Sequence, residues 1–210
     1  MDKIITKLPR YPFDYLFLTD LLKNYSYPRN KINSLIRTGI IIRIKKGLYV
    51  FSPEYGGVVD HYMLANLIYG PSYISLDFAL SFWGLIPERV ETITSISNKR
   101  NKLFKTPVGK FTYKYINDNI FYKGIMIQAN SNGSYMIATR EKALCDSIAL
   151  LKDIKKTVDM DIYLKEDLRI DFTGLNGLDI NLLSDIAGAY SLKSVKIFYK
   201  WYTENFTGSV

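Results

Sequence analysis

The spacing of apolar side chains changes character near residue 40. Between residues 13 and 24, Leu18, Leu21 and Leu22 recur at i, i+3 and i+4 with Tyr15 and Phe17 beside them, which predicts a helix. A short break follows at Tyr25-Ser26-Tyr27. Ile32, Leu35 and Ile36 then repeat the spacing. Pro28 suits a first helical turn, and Gly39 suits the left-handed position just past a helix end. From Ile40 the period is lost. Ile40-Ile41-Ile42-Arg43-Ile44 is a β-branched run, Lys45-Lys46-Gly47 a tight turn and Leu48-Tyr49-Val50-Phe51 a return strand. Helix, short turn, helix and basic-tipped hairpin, in that order, predict a winged helix-turn-helix over residues 1–52.

Residues 52–60, SPEYGGVVD, read as a linker. Beyond it a second, mixed α+β domain is expected over 60–210. His61 to Tyr69 reads as a short helix stopped by Gly70-Pro71. The segment 72–88 reads as a helix capped by Ser75, with Leu76, Ala79, Leu80 and Trp83 inward and Gly84 as its stop. Strands are expected at 90–97, 111–116, 120–128 and 134–138, with Asn132-Gly133 as a hairpin turn. Thr139 can cap a helix reaching about Leu151. Two more helices follow at 180–190 and 193–206, the last with Val195, Phe198, Tyr199 and Tyr202 on one face. The fold class predicted is therefore α+β.

The second front-end helix can be read by angle, at about 100° per residue. Ile32, Leu35 and Ile36 point inward, while Asn30, Ser34 and Arg37 point almost directly away with Asn33 beside them. Arg pairs well with guanine and Asn with adenine in a major groove, so this face is equipped to read bases. Arg29 and Lys31 on the flanks, with Arg43, Lys45 and Lys46 on the hairpin, would hold phosphates. A plain solvated helix face and a plain surface hairpin are the competing readings.

Charge tilts the choice toward a nucleic acid and leaves the plain readings open. Residues 1–52 hold ten Lys/Arg against three Asp/Glu, residues 53–150 ten against eight, and residues 151–210 eight against nine. Nearly all of the net +8 thus sits in the first quarter of the chain, which argues for an anionic partner there, double-stranded DNA. The remaining composition excludes more than it selects. An apolar fraction of 48% supports a packed core. With Cys145 as the single cysteine no intramolecular disulfide can form, and the chain reads as cytoplasmic. No apolar run approaches the roughly 18 residues of a membrane span.

Reactive groups are scarce. His61 is the one histidine, so neither a zinc set nor a nucleophile–histidine pair with its supports assembles. Asp159-Met160-Asp161 has the look of a metal-binding carboxylate pair, but the acids from 153 to 171 alternate with lysines as on a solvated face. The expectation is a protein that is no enzyme and needs no cofactor.

Three stretches, in order, resemble the AbiEi family of antitoxins and transcriptional regulators. Arg43-Ile44-Lys45-Lys46-Gly47-Leu48-Tyr49-Val50 is similar to that family's R-I-x-R-G-x-Y wing. Ser72-Tyr73-Ile74-Ser75-Leu76-Asp77-Phe78-Ala79-Leu80 with Trp83-Gly84-Leu85-Ile86-Pro87 is similar to Y-I-S-x-x-S-A-L-x-x-x-G-L-x-P. Ala138-Thr139-Arg140-Glu141-Lys142-Ala143-Leu144-Cys145-Asp146 is similar to A-x-P-E-K-A-L-x-D, with Arg140 in place of the proline. The resemblance covers roughly residues 12–151. It implies a repressor that binds inverted repeats in its own promoter, and an antitoxin domain that counteracts a cognate nucleotidyltransferase-type toxin without needing a stable complex with it. Glu141 and Asp146 read as structural rather than catalytic.

Overall fold

The computed structural model describes residues 4–151 and 153–206. The protein is α+β, with two sheets. The front end opens with a short 3-10 turn at Ile5–Lys7, then strand β1 (Phe13–Asp14), helices α1 (Tyr15–Leu21) and α2 (Pro28–Arg37), and the hairpin β2 (Ile41–Lys45) and β3 (Leu48–Phe51). The Asp14 carboxylate accepts the Phe17 N–H at 2.8 Å and sets the start of α1. Helix α2 ends in a Schellman motif: Ile40 N–H reaches Leu35 O, Gly39 N–H reaches Ile36 O, and Gly39 has φ 72°. That close swings the chain directly into β2. The sheet order is β1-β3-β2, all antiparallel, β1 being an element the apolar spacing did not foretell.

After a 3-10 turn at Pro53–Tyr55 come α3 (His61–Ile68), β4 (Ser72–Ile74), α4 (Leu76–Phe82), β5 (Ile93–Ser97), β6 (Lys102–Thr106), β7 (Gly109–Tyr115), α5 (Asp118–Phe121), β8 (Ile125–Asn130), β9 (Gly133–Ala138) and α6 (Arg140–Ala149). The end is helical: α7 (Thr157–Ile162) running into a π turn at Tyr163–Asp167, then α8 (Phe172–Leu175), α9 (Ile180–Ala189) and α10 (Lys193–Phe206). The sheet runs β6-β7-β5-β4-β9-β8, with parallel pairs at β5/β7 and β4/β9. Successive side chains of β4 point to opposite faces, and their partners show what covers each. Ser72 donates to Ala65 O of α3, whereas Tyr73 donates to Asp146 of α6. Helix α3 therefore covers one face and α6 the other.

The 72–88 segment is corrected. It begins as a strand, not a helix, and Ser75 spends its hydroxyl on Asp146 instead of capping. Thr94 of β5 supplies the cap, its Oγ1 accepting the Phe78 N–H at 3.2 Å. Residues 120–128 are likewise corrected: the expected strand is helical to Phe121 and extended only from Ile125. Strand β6 was not foretold, and neither were α7 and α8.

Buried apolar side chains form two clusters. One draws on residues 4–51; the other extends from the sheet through α10 and also contains Ile44, Leu48 and Val50. All four residues of β3 are buried. Tyr49 and Phe51 face the first cluster, Leu48 and Val50 the second, so this one strand is shared between two cores.

Candidate nucleic-acid interface

Helix α2 buries Ile32 and Leu35 and turns its other side to solvent. Arg29, Asn30, Asn33 and Arg37 are exposed; Lys31 and Ser34 are half-buried. The side chains of Asn30, Asn33 and Arg37 have no hydrogen-bond partner among the described residues. Arg29 is steadied by one contact, its Nε donating to the Tyr15 hydroxyl at 3.3 Å. The Lys31 ammonium lies 5.7 Å from the Tyr25 ring centre.

On the hairpin, Arg43 and Lys46 are exposed and unpaired among the described residues. Between them and α2 runs a groove of about 470 Å3 lined by Arg29, Asn33, Arg43 and Lys46 over Ile32, Ile36 and the tyrosines Tyr15 and Tyr49. Its lining contains three cationic residues and no carboxylate, which suits an anion.

Lys45 departs from the expectation. Its ammonium donates to Ile68 O at 2.6 Å, at the C-terminal end of α3, and so turns away from Lys46 toward the second core. A cation at a helix C-terminus is favourable. Partial burial lowers the Lys45 pKa, and the nearby Lys99 charge lowers it further. The physical reason for the miss is tertiary: the carbonyl that claims Lys45 lies 23 residues along the chain.

Lys99 marks a surface that sequence reasoning passed over. Its ammonium donates to Gly70 O, beside the Lys45 contact. Arg100 follows, and the β6–β7 ribbon carries Lys102, Lys105, Lys110 and Lys114, with no acid anywhere from 99 to 114. Lys105 and Lys110 stand directly opposite each other across the antiparallel pair, an arrangement unfavourable unless an anion relieves it. The unbroken run of cations was visible in the sequence; the nearness of Lys99 to Lys45 was not.

The second and third motif stretches meet in the interior. Lys142 and Asp146, one turn apart on α6, pair at 3.1 Å with both side chains wholly buried. Asp146 Oδ2 accepts from Tyr73 at 2.9 Å and from Ser75 at 2.6 Å, and Oδ1 accepts from Tyr190 as well as from Lys142. Lys142 also donates to Ile120 O and the Tyr190 oxygen. Gly124, at φ 69°, passes so close that a Cβ there would sit 2.8 Å from the Lys142 Cβ. Burial, reinforced by the Asp146 charge, pushes the Tyr73 and Tyr190 hydroxyls well above their ordinary pKa. Burial pushes the Cys145 thiol up as well. Glu141 accepts the Asp179 N–H at 2.9 Å and ties α6 to the start of α9. A sealed group this fully bonded has no opening for a ligand; it clamps α6 to β4 and α9.

Asp159 accepts the Lys155 and Lys156 N–H groups at 2.9 and 2.8 Å, and these bonds hold its carboxyl below the usual range. It fixes the start of α7. The larger cleft, about 560 Å3 between the starts of α3 and β5, mixes Arg89 with Asp60 and Glu91 and gives a polyanion no net attraction. Among the described residues no helix is long and apolar enough to cross a membrane. Compared with known proteins, the chain matches no family model and no curated sequence.

Proposed function

We propose that the chain is a sequence-specific DNA-binding autorepressor whose front end is a winged helix-turn-helix, and that it serves as the antitoxin of a toxin–antitoxin operon. The observation that carries the DNA reading is the groove: Arg29 and Asn33 from α2 and Arg43 and Lys46 from the hairpin open on one slot whose lining holds no carboxylate. The sheet order β1-β3-β2 around α1 and α2 supports the winged assignment, with β2–β3 as the wing. Asn30 and Arg37, on the crest of α2, would read bases in the major groove. Arg29, Lys31, Arg43 and Lys46 would hold phosphates, and the β6–β7 lysines extend that field along the flanking duplex. Lys45 is dropped from the phosphate set because it is engaged elsewhere. The antitoxin role, and a nucleotidyltransferase-type toxin as its counterpart, rest on the AbiEi resemblance of the three motif stretches.

The test is a titration of the full chain against duplex from upstream of its own gene over a range of salt. The four phosphates held by Arg29, Lys31, Arg43 and Lys46 give a slope of log affinity on log salt of about −3.6, at about 0.9 per phosphate, and each β6–β7 lysine that reaches the duplex makes it steeper. A slope near zero, or equal binding to promoter and random duplex, rejects a sequence-specific repressor.

A further inference from the structure

The groove between α2 and the β2–β3 turn is amphipathic. Its floor is apolar, formed by Ile32, Ile36 and Tyr49; its rim is cationic, formed by Arg29, Arg43 and Lys46. Asn33 opens into it, whereas Asn30 and Arg37 do not line it. Helix geometry explains the division. At about 100° per residue, Arg29, Asn33 and Ile36 fall on the flank of α2 nearest the hairpin, while Asn30 and Arg37 occupy the crest.

A base edge in a major groove is a flat array of donors and acceptors with little apolar surface beyond a thymine methyl. An apolar floor under a cationic rim matches a different part of the duplex. Deoxyribose offers carbon-rich faces, and the phosphate beside it offers charged oxygens. Nor does this slot depend on a floppy wing. Tyr49 is locked in β3 between the two cores, and the turn beside it is anchored through Lys45 on Ile68 O. The seat exists before any ligand arrives, so little ordering accompanies binding.

We propose that this groove seats one sugar–phosphate unit of a duplex strand, with the Asn33 amide donating to that phosphate. Asn33 is then a backbone anchor, not a base reader, and its position fixes how far the crest of α2 enters the major groove. The assignment rests on the duplex-binding reading above.

The experiment uses the full chain and a specific duplex selected by the wild-type protein from random-sequence DNA. Each phosphate of that duplex is replaced in turn by an uncharged methylphosphonate, and affinity is measured for wild type and for Asn33→Ala. The expected result is that Asn33→Ala weakens specific and random duplex alike, by about tenfold, the worth of one hydrogen bond to a charged group. At one phosphate per bound protomer, the methylphosphonate penalty seen with wild type shrinks in Asn33→Ala. Arg43→Ala shrinks the penalty at the same phosphate and makes the salt slope shallower by about one unit. The inference is overturned if Asn33→Ala weakens only the specific duplex, which makes it a base reader. It is also overturned if its effect is independent of every phosphate. Failure of the wild-type protein to select any duplex rejects the DNA reading itself, and with it this assignment.

Discussion

The front-end groove and the buried Asp146 group are made of similar side chains in opposite circumstances. Around the groove Arg43, Lys46 and Asn33 reach solvent and find no partner among the described residues. Around Asp146 a lysine and three hydroxyls converge on one carboxylate from which water is excluded. Both regions coincide with stretches that read as motifs. A polar motif thus reports a role only once its saturation is known. Hydrogen-bonding capacity left to water at a surface is available to a ligand; capacity spent internally points to architecture.

The sharpest way to break this contrast is to remove the centre of the buried group. Asp146→Ala leaves the Lys142 ammonium buried without its counter-charge and should cost about 3–5 kcal/mol in equilibrium urea unfolding. A loss under about 1 kcal/mol would mean that the group does not hold the second core together. Next in size is Tyr73→Phe, expected to cost about 1–3 kcal/mol by taking one donor from a buried carboxylate. This variant also carries a pH signature. Unfolded tyrosines ionise near the ordinary value of 10.0, whereas folded Tyr73 and Tyr190 keep their protons beyond it. The folded chain then binds more protons than the unfolded one, so stability that is fully present below pH 10 falls as pH rises past it. Tyr73→Phe should make that fall less steep; an unchanged profile between pH 8 and pH 11 would sink the assignment.

The smallest effect is the most discriminating. Lys45 and Lys46 are adjacent in one basic turn, yet one is engaged and the other unpaired among the described residues. Lys46→Met should leave stability within about 0.5 kcal/mol of wild type and make the salt slope of duplex binding shallower by about 0.9. Lys45→Met should leave that slope alone and cost up to about 1 kcal/mol of stability. If the two behave alike, the hairpin is not oriented as described.

Where local periodicity decides structure, the sequence was legible. Helices α1, α2, α6, α9 and α10 and the β2–β3 hairpin lie where stripe, cap and turn residues place them, because each is specified by neighbours within a few positions. Strand β4 was hidden because three residues buried on both faces, running straight into α4, read as the first turn of a helix. Strand β6, KLFKT, was hidden because its lysines resemble a loop, although they guard a sheet edge in the usual way. The partners of Asp146 were beyond reach of any window, Tyr73 and Ser75 lying 73 and 71 residues away. In the candidate site, the flanks of α2 were readable by angle, but the groove needs the hairpin beside them. The fate of Lys45 depends on a carbonyl that only folding brings near.

Because the alternate side chains of β3 belong to different cores, the front end and its neighbour share buried surface. Cutting after residue 52 strips Ile44, Leu48 and Val50 of their cover and leaves three greasy side chains facing water. Grafting these residues onto a foreign partner would carry the same defect, so any lineage that shuffles this module must take its neighbour along or replace Ile44 of β2 together with Leu48 and Val50 of β3.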